Sequence, residues 1–210
     1  MRLLAADGER RALLVERCVP GQSLWSVADE HAANAAAAAI LRRLWSAPPP
    51  DGAALRTLAG EARRWANEIP VRWARHGRPV ERSLIDRAVG WIGDLLGSPA
   101  GDAVVLHQDL HGGNVLRAAR EPWLAIDPKP LVGERAFDLA SLVRDRRGDL
   151  AADPAPVRRI RHRLDALSAD LGLDRERIRR WAVVHALAWG MEDDEWFPGI
   201  VACAEWLDRA

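Results

Sequence analysis

A chain of 210 residues with 30 Lys plus Arg and 30 Asp plus Glu carries no formal net charge, which removes the simplest case for a nucleic-acid partner. Hydrophobic residues at 49% and charged residues at 29% exclude global disorder. Two cysteines, Cys18 and Cys203, are too few for a disulfide framework, and no apolar run approaches the ~18 residues of a membrane span, so the expectation is a soluble, cytoplasmic protein.

Residues 2–19 read as a β-hairpin, with Arg2–Ala6 and Ala12–Val15 flanking Asp7-Gly8 and with Pro20-Gly21 ending the second strand. A two-stranded hairpin is marginal alone and is expected to pack on something. Ala28–Trp45 is an alanine-rich helix stopped by Pro48-Pro49-Pro50. Leu55–Glu68 is a second helix, expected to end before Pro70. Val80, Leu84, Ile85, Ala88, Val89, Ile92 and Leu96 recur at spacings of three and four and predict a third.

The pattern breaks at Gly97-Ser98-Pro99-Ala100-Gly101. Short strands are predicted at Ala103–Leu106, Asn114–Arg117 and Trp123–Ile126. Helices resume at Ala136–Arg146, Pro156–Leu171, Asp174–Trp189 and near Ile200–Leu207, with Asp174 as an N-cap. Most of the ten tryptophans are expected in the core. The Arg175–Arg180 helix is interleaved with acid and runs into an apolar stretch, so DNA is not the expected partner.

Chemistry concentrates in His107-Gln108-Asp109-Leu110-His111-Gly112-Gly113-Asn114-Val115-Leu116, followed by Ala125-Ile126-Asp127-Pro128. Asp109, Asn114 and Asp127 emerge from neighbouring strand ends and can converge. Phosphoryl transfer needs such a set: a carboxylate to orient an acceptor hydroxyl and take its proton, and hard oxygen ligands for Mg2+. The Asp-x-x-x-x-Asn spacing matches a kinase catalytic loop. His107, Asp109 and His111 also spell His-x-Asp-x-His, a possible transition-metal set on an extended strand. Asp and Asn in a glycine-bearing loop are otherwise ordinary turn formers.

The first of these stretches resembles the catalytic loop of aminoglycoside phosphotransferases, a branch of the protein-kinase-like fold. Asp127-Pro128-Lys129-Pro130 with Phe137-Asp138-Leu139-Ala140 is similar, more narrowly, to the streptomycin 6-kinase and hydroxyurea-resistance kinase group. The resemblance implies an α+β, protein-kinase-like architecture: a mainly helical C-terminal lobe over residues 23–210 with inserted short hairpins. Residues 1–22 would be a remnant of the N-terminal lobe, hairpin and hinge. By the same resemblance Asp109 is the catalytic base, buttressed by His107, and Asn114 and Asp127 bind Mg2+ with ATP. Glu16 to Cys18 would be the hinge that meets the adenine, and Asp138 would brace the loop.

The implied enzyme transfers the ATP γ-phosphate to a hydroxyl of a streptomycin-like aminoglycoside, an antibiotic-resistance activity on a small-molecule substrate. Glu192, Asp193, Asp194 and Glu195, between Trp189 and Trp196, would form a surface for a polycationic sugar; the plainer reading is a solvated acidic turn. The pattern also departs from the family. Lys129 is the only lysine and lies after the metal-binding Asp, so it cannot be the strand lysine of such kinases, and the phosphate-covering loop is missing. The alternative expectation is therefore a weak or inactive kinase-like lobe that binds a small ligand or a protein.

Overall fold

Strands β1 (Leu3–Asp7) and β2 (Ala12–Val15) pair antiparallel, with Asp7 opposite Ala12 at the turn. The computed structural model describes residues 1–50, 55–98 and 100–210; Pro99, in the stretch where the helical pattern was expected to change, lies outside them. An ion pair fastens this hairpin to the body: Arg120 reaches both carboxylate oxygens of Glu16 at 2.9 and 3.0 Å, and Glu16 also accepts the Arg2 amide. No apolar face does that work, since Leu3, Leu4, Leu13 and Leu14 all stay exposed.

Helix α1 (Glu30–Trp45) follows, capped by Asp29, whose carboxylate accepts from the His31 and Ala32 amides. After residue 55 the short strand β3 (Arg56–Thr57) runs into α2 (Leu58–Arg75), capped by Thr57. Here the sequence reading needs correction, because α2 does not stop before Pro70. The proline removes one backbone N–H, a cost of ~3 kcal/mol in a helix interior. Ile69 and Trp73 on either side are buried, and burying each stabilises by roughly 1.5–3 kcal/mol, so the core face carries the helix through.

Helix α3 (Arg82–Gly97) leads to β4 (Val104–Leu106), β5 (Val115–Arg117), β6 (Trp123–Ala125) and β7 (Leu131–Gly133). Strands β5 and β6 form an antiparallel hairpin, with Val115 opposite Ala125. Strand β7 lies between β3, which it meets parallel, and β4, which it meets antiparallel. Neither β3 nor β7 is legible as a strand from periodicity, being two and three residues long. Gly133 is required at its position: a Cβ there would lie 2.5 Å from Leu58 Cβ.

The expected helix at Ala136–Arg146 is instead a 3-10 turn (Arg135–Leu139) and a single turn of helix, α4 (Ala140–Val143). Phe137 and Leu139 are both fully buried, and the tighter turn sends them into the core while Asp138 faces the neighbouring loop. After α5 (Arg147–Ala152), α6 (Pro156–Leu171), α7 (Arg175–Gly190) and α8 (Pro198–Asp208) complete the fold. Helix α7 is the axis of the core: Trp181 through Ala188 are all buried, against α2, α3, α4, α6 and α8. Trp45, Trp65, Trp73 and Trp181 are core residues, whereas Trp25 and Trp196 are exposed.

Candidate functional site

Strand β4 ends at Leu106 and hands the chain to a loop, 107–111, whose backbone is held from below. The buried carboxylate of Asp138 accepts the Gln108 amide at 2.6 Å on one oxygen. Its other oxygen accepts the His107 amide and the Trp45 indole N–H, each at 3.0 Å. Burial pushes the Asp138 pKa above the ordinary carboxylate value, and these three donors pull against it. Gln108 itself has φ +68°, a left-handed conformation rarely adopted by non-glycine residues. The strained residue immediately precedes Asp109, and its N–H is the one gripped most tightly.

His107 lies under the loop with its Nε2 3.0 Å from the Ile126 carbonyl. Burial lowers its pKa, so the ring is neutral at pH 7 and donates that hydrogen bond to the strand leading to Asp127. Asp109 projects above, 17% exposed at its side chain. Asn114 Nδ2 donates to the Asp109 carbonyl at 2.9 Å, and the Ser141 hydroxyl approaches one Asp109 carboxylate oxygen at 3.4 Å. The loop is thereby fixed from three sides, and among the described residues no arginine or lysine pairs with the carboxylate.

The β5–β6 register sets the third residue beside these two. The Ile126 amide donates to the Asn114 carbonyl at 2.9 Å, so Ile126 lies across the hairpin from Asn114 and Asp127 is the next residue along. Asp127 also has a left-handed backbone, φ +53°, although it precedes a proline, a position normally pushed toward extended conformations. Its exposed carboxylate meets Lys129 Nζ at 2.7 Å.

Asn114 and Asp127 together are hard oxygen donors. The Asn114 amide nitrogen is committed to Asp109, which leaves its oxygen as the free end. That set fits Mg2+, which is commonly held by one or two protein oxygens and keeps several waters. The transition-metal alternative does not fit. His107 is turned to Ile126, and among the described residues no group of three or more His, Cys, Asp or Glu could hold a metal ion.

Two residues that the sequence gives no sign of complete the loop's support. Asp145, beyond α4, accepts the Trp25 indole N–H at 2.8 Å and the Gly112 amide at 2.7 Å. Trp25 stacks on His111 with ring centroids 5.4 Å apart and 9° between planes. Gly112 lies directly under the indole; a Cβ there would come within 2.6 Å of Trp25 Cδ1. Asp145 reads locally as one charge in the run Arg144–Arg147, and only the fold brings it to Gly112. Ser141 was more findable, because it falls three residues after Asp138 and therefore on the same side of the turn.

Beside Asp109 an open cleft begins. Its inner part, about 280 Å³, is lined by Gln108, Lys129, Arg56, Arg64, Trp189 and Glu192. An outer part of about 370 Å³ continues along Arg72 and the Glu192–Glu195 segment. The acidic run is not four free carboxylates, however. Asp193 is bound by Arg72 and Arg75, each at 3.1 Å, and these arginines hold its pKa below the ordinary value. Trp189 is partly buried and tilted onto His185 at 4.5 Å. Glu192, Asp194 and Glu195 remain turned to the cleft and its rim, with Trp196 half exposed beside them.

Glu16 and Cys18 lie apart from this loop, on the segment joining β2 to the body. The Glu16 side chain is occupied by Arg120, which drives its pKa down to about 2, and its amide donates to the Arg2 carbonyl. Cys18 is half-buried and unpaired. A broad, mainly apolar hollow of about 900 Å³ separates α1 from β6 behind His107. Its one carboxylate, Glu121, is held by Arg43 and Arg120.

The family model described as aminoglycoside/hydroxyurea antibiotic resistance kinase matches residues 1–197. A streptomycin 6-kinase of Streptomyces glaucescens is 41% identical over 196 residues, covering 92% of this chain and 62% of that protein. A hydroxyurea phosphotransferase of Kitasatospora aureofaciens is 38% identical over 205 residues, covering 93% and 55%. The chain thus spans about six tenths of the length of these curated relatives. Among solved structures, an aminoglycoside phosphotransferase of Streptomyces rimosus in complex with ADP and streptomycin superposes with a TM-score of 0.60 at 23% identity. That match covers 85% of this chain and 69% of the other, and it carries the protein-kinase-like α+β fold.

Proposed function

The chain belongs to the aminoglycoside/hydroxyurea antibiotic resistance kinase family, and from that premise we propose that it transfers the γ-phosphoryl group of ATP to a hydroxyl of a streptomycin-like aminoglycoside. One observation carries the reading. Asn114 is bonded to Asp109 on a loop whose backbone is locked from beneath by Asp138, and Asp127 follows Ile126, which pairs with Asn114 across the β5–β6 hairpin.

In this reading Asp109 orients the acceptor hydroxyl and takes its proton. Among the described residues no arginine or lysine pairs with its carboxylate, His111 Nε2 stands 3.8 Å from one of its oxygens, and Ser141 and Asn114 fix its direction. Positioning of this kind supplies most of the acceleration in phosphoryl transfer, where the protein contributes little covalent chemistry. Asn114 and Asp127 would hold Mg2+, which supplies charge neutralisation at the nucleotide phosphates. The backbone of Glu16 to Cys18 would meet the adenine. Asp138 and His107 act through the loop and touch no substrate.

Acceptor recognition falls to the outer cleft. Glu192, Asp194 and Glu195 offer acceptors for ammonium and guanidinium groups of an aminocyclitol, and charge-assisted hydrogen bonds of this type are about twice as strong as neutral ones. Asp193 would hold that segment to α2 through Arg72 and Arg75 and would make no contact with the substrate.

The test is direct. Purified protein is incubated with ATP, Mg2+ and streptomycin, and the antibiotic is followed by mass spectrometry. The expected result is one added phosphate, absent with Asp109→Ala. No product from a folded sample would remove streptomycin as the acceptor. Nucleotide binding without product across several aminoglycosides would favour the binding-module alternative.

A further inference from the structure

Lys129 is the single lysine of the chain, and the kinase reading, on which the following rests, leaves it without a task. Its ammonium lies 2.7 Å from Asp127 Oδ2. Its backbone is firmly mounted: the Lys129 amide donates to the His107 carbonyl at 3.0 Å, and prolines on both sides restrict rotation. The side chain above that mount is 41% exposed and the Asp127 carboxylate 63%. Ion pairs this open are weak and screened by solvent, so the ammonium can leave its partner easily.

The surroundings determine where it can go. Lys129 lines the inner cleft together with Gln108, next to Asp109, and with Glu192 at the start of the acidic segment. It therefore stands between Asp127 and the acidic segment, on the path that the kinase reading gives to the transferring phosphoryl group. The other two cations lining that cleft are already committed. Arg56 pairs with Glu61 at 3.2 Å, and Arg64 pairs with Glu61 at 2.5 Å and Glu68 at 2.8 Å. Only the lysine has as its partner a carboxylate that nucleotide binding would claim.

We propose that Lys129 is a catalytic residue that binds the γ-phosphoryl group during transfer and, without nucleotide, occupies Asp127 as its counter-ion. In the transfer the acceptor oxygen forms a bond to the γ-phosphorus and the bond from that phosphorus to the β–γ bridging oxygen breaks. ADP leaves with the electron pair, and the hydroxyl proton passes to Asp109. Lys129 keeps its proton throughout and neutralises the non-bridging oxygens, a point-charge role for which a flexible ammonium is suited.

A contact to the γ-phosphate exists with ATP and not with ADP, which separates this role from a structural one. Calorimetric titration with each nucleotide in Mg2+ is made on the wild type, Lys129→Met and Lys129→Arg. Lys129→Met is expected to weaken ATP about tenfold, the loss of roughly one charged hydrogen bond, while ADP stays within about twofold, and Lys129→Arg should recover part of the ATP preference. In nucleotide-free protein, Mn2+ followed by electron paramagnetic resonance should bind Lys129→Met more tightly than wild type, because the competing ammonium is gone. Equal shifts for ATP and ADP, or unchanged Mn2+ affinity, would overturn the assignment of Lys129 alone. A folded wild type that binds neither nucleotide would remove the kinase reading as well.

Discussion

The carboxylate of Asp138 grips the amide of Gln108 at 2.6 Å and so holds a non-glycine residue at φ +68°, one position before Asp109. A backbone strained in this way costs of order 1–3 kcal/mol and persists only where its surroundings determine it. Asp138 supplies that determination with an ion, since a carboxylate accepts three N–H groups at once. An amide in its place presents an NH2 group to at least one of those donors.

Asp138→Asn is therefore expected to lower the stability of the native state by about 2–3 kcal/mol, the range for losing hydrogen bonds to a buried charged acceptor. Urea denaturation followed by tryptophan fluorescence measures it. Asp138→Ala, leaving three donors unpartnered, should cost more. An Asn variant as stable as wild type would mean that Gln108 holds its conformation without the carboxylate.

Asp145 acts on the other end of the same loop, through the Gly112 amide and the Trp25 indole. Trp25→Phe keeps a ring over His111 and removes only the N–H, so a loss of about 1 kcal/mol is expected. Asp145→Asn should cost more, because its carboxylate also accepts the Arg146 amide at 2.6 Å. If the kinase reading holds, both changes should lower kcat with little effect on the KM for streptomycin, since neither residue lines the acceptor cleft. A KM effect alone would instead assign Trp25 to substrate binding.

Much of this fold was legible because the signals were local. Apolar spacing located α3, Asp174 marked the start of α7, where its side chain accepts the Arg177 amide, and Asp7-Gly8 marked the hairpin. The misses are cases where distant packing overrules a local rule. Pro70 is carried through α2 by the burial of Ile69 and Trp73, and β3 is paired into a strand by β7. The same division runs through the site. Asp109 and Asn114 share one motif-bearing stretch and bond to each other, and Asp127 follows the residue that pairs with Asn114, so local sequence was enough to nominate all three. Asp145 and Trp25 lie 120 residues apart, and nothing short of the fold relates them. The acidic run was visible, but not the capture of Asp193 by α2 arginines.

Divalent metal should bind at Asn114 and Asp127 and nowhere comparable nearby. Asp127→Asn is expected to raise the Mg2+ concentration needed for half-maximal phosphate transfer by about tenfold or more, as losses of metal-site partners do. Chelation with EDTA should stop transfer, and added Mg2+ should restore it. A Mg2+ dependence identical in Asp127→Asn and wild type would move the metal to other ligands.

His185 is expected to make the fold sensitive to acid. It is fully buried among Trp65, Phe137 and Trp189, and neither ring nitrogen meets a protein partner. Burial, with a smaller push from Arg144, drives its pKa well below the ordinary 6.5. The unfolded chain therefore takes up a proton that the native state refuses. The stability this group permits is complete above about pH 6.5 and falls as the pH drops below it, by up to about 1.4 kcal/mol per pH unit. His107, also lowered by burial, adds to the same slope. His185→Leu keeps an apolar side chain of similar size in the aromatic box and has nothing to protonate. It should match or exceed the wild type at pH 7.5, because no buried polar nitrogen is left unpaired, and it should lose clearly less stability between pH 7.5 and pH 5.5. Urea midpoints for both proteins at the two pH values decide it: parallel losses would place the acid sensitivity elsewhere, with His107 the next residue to change.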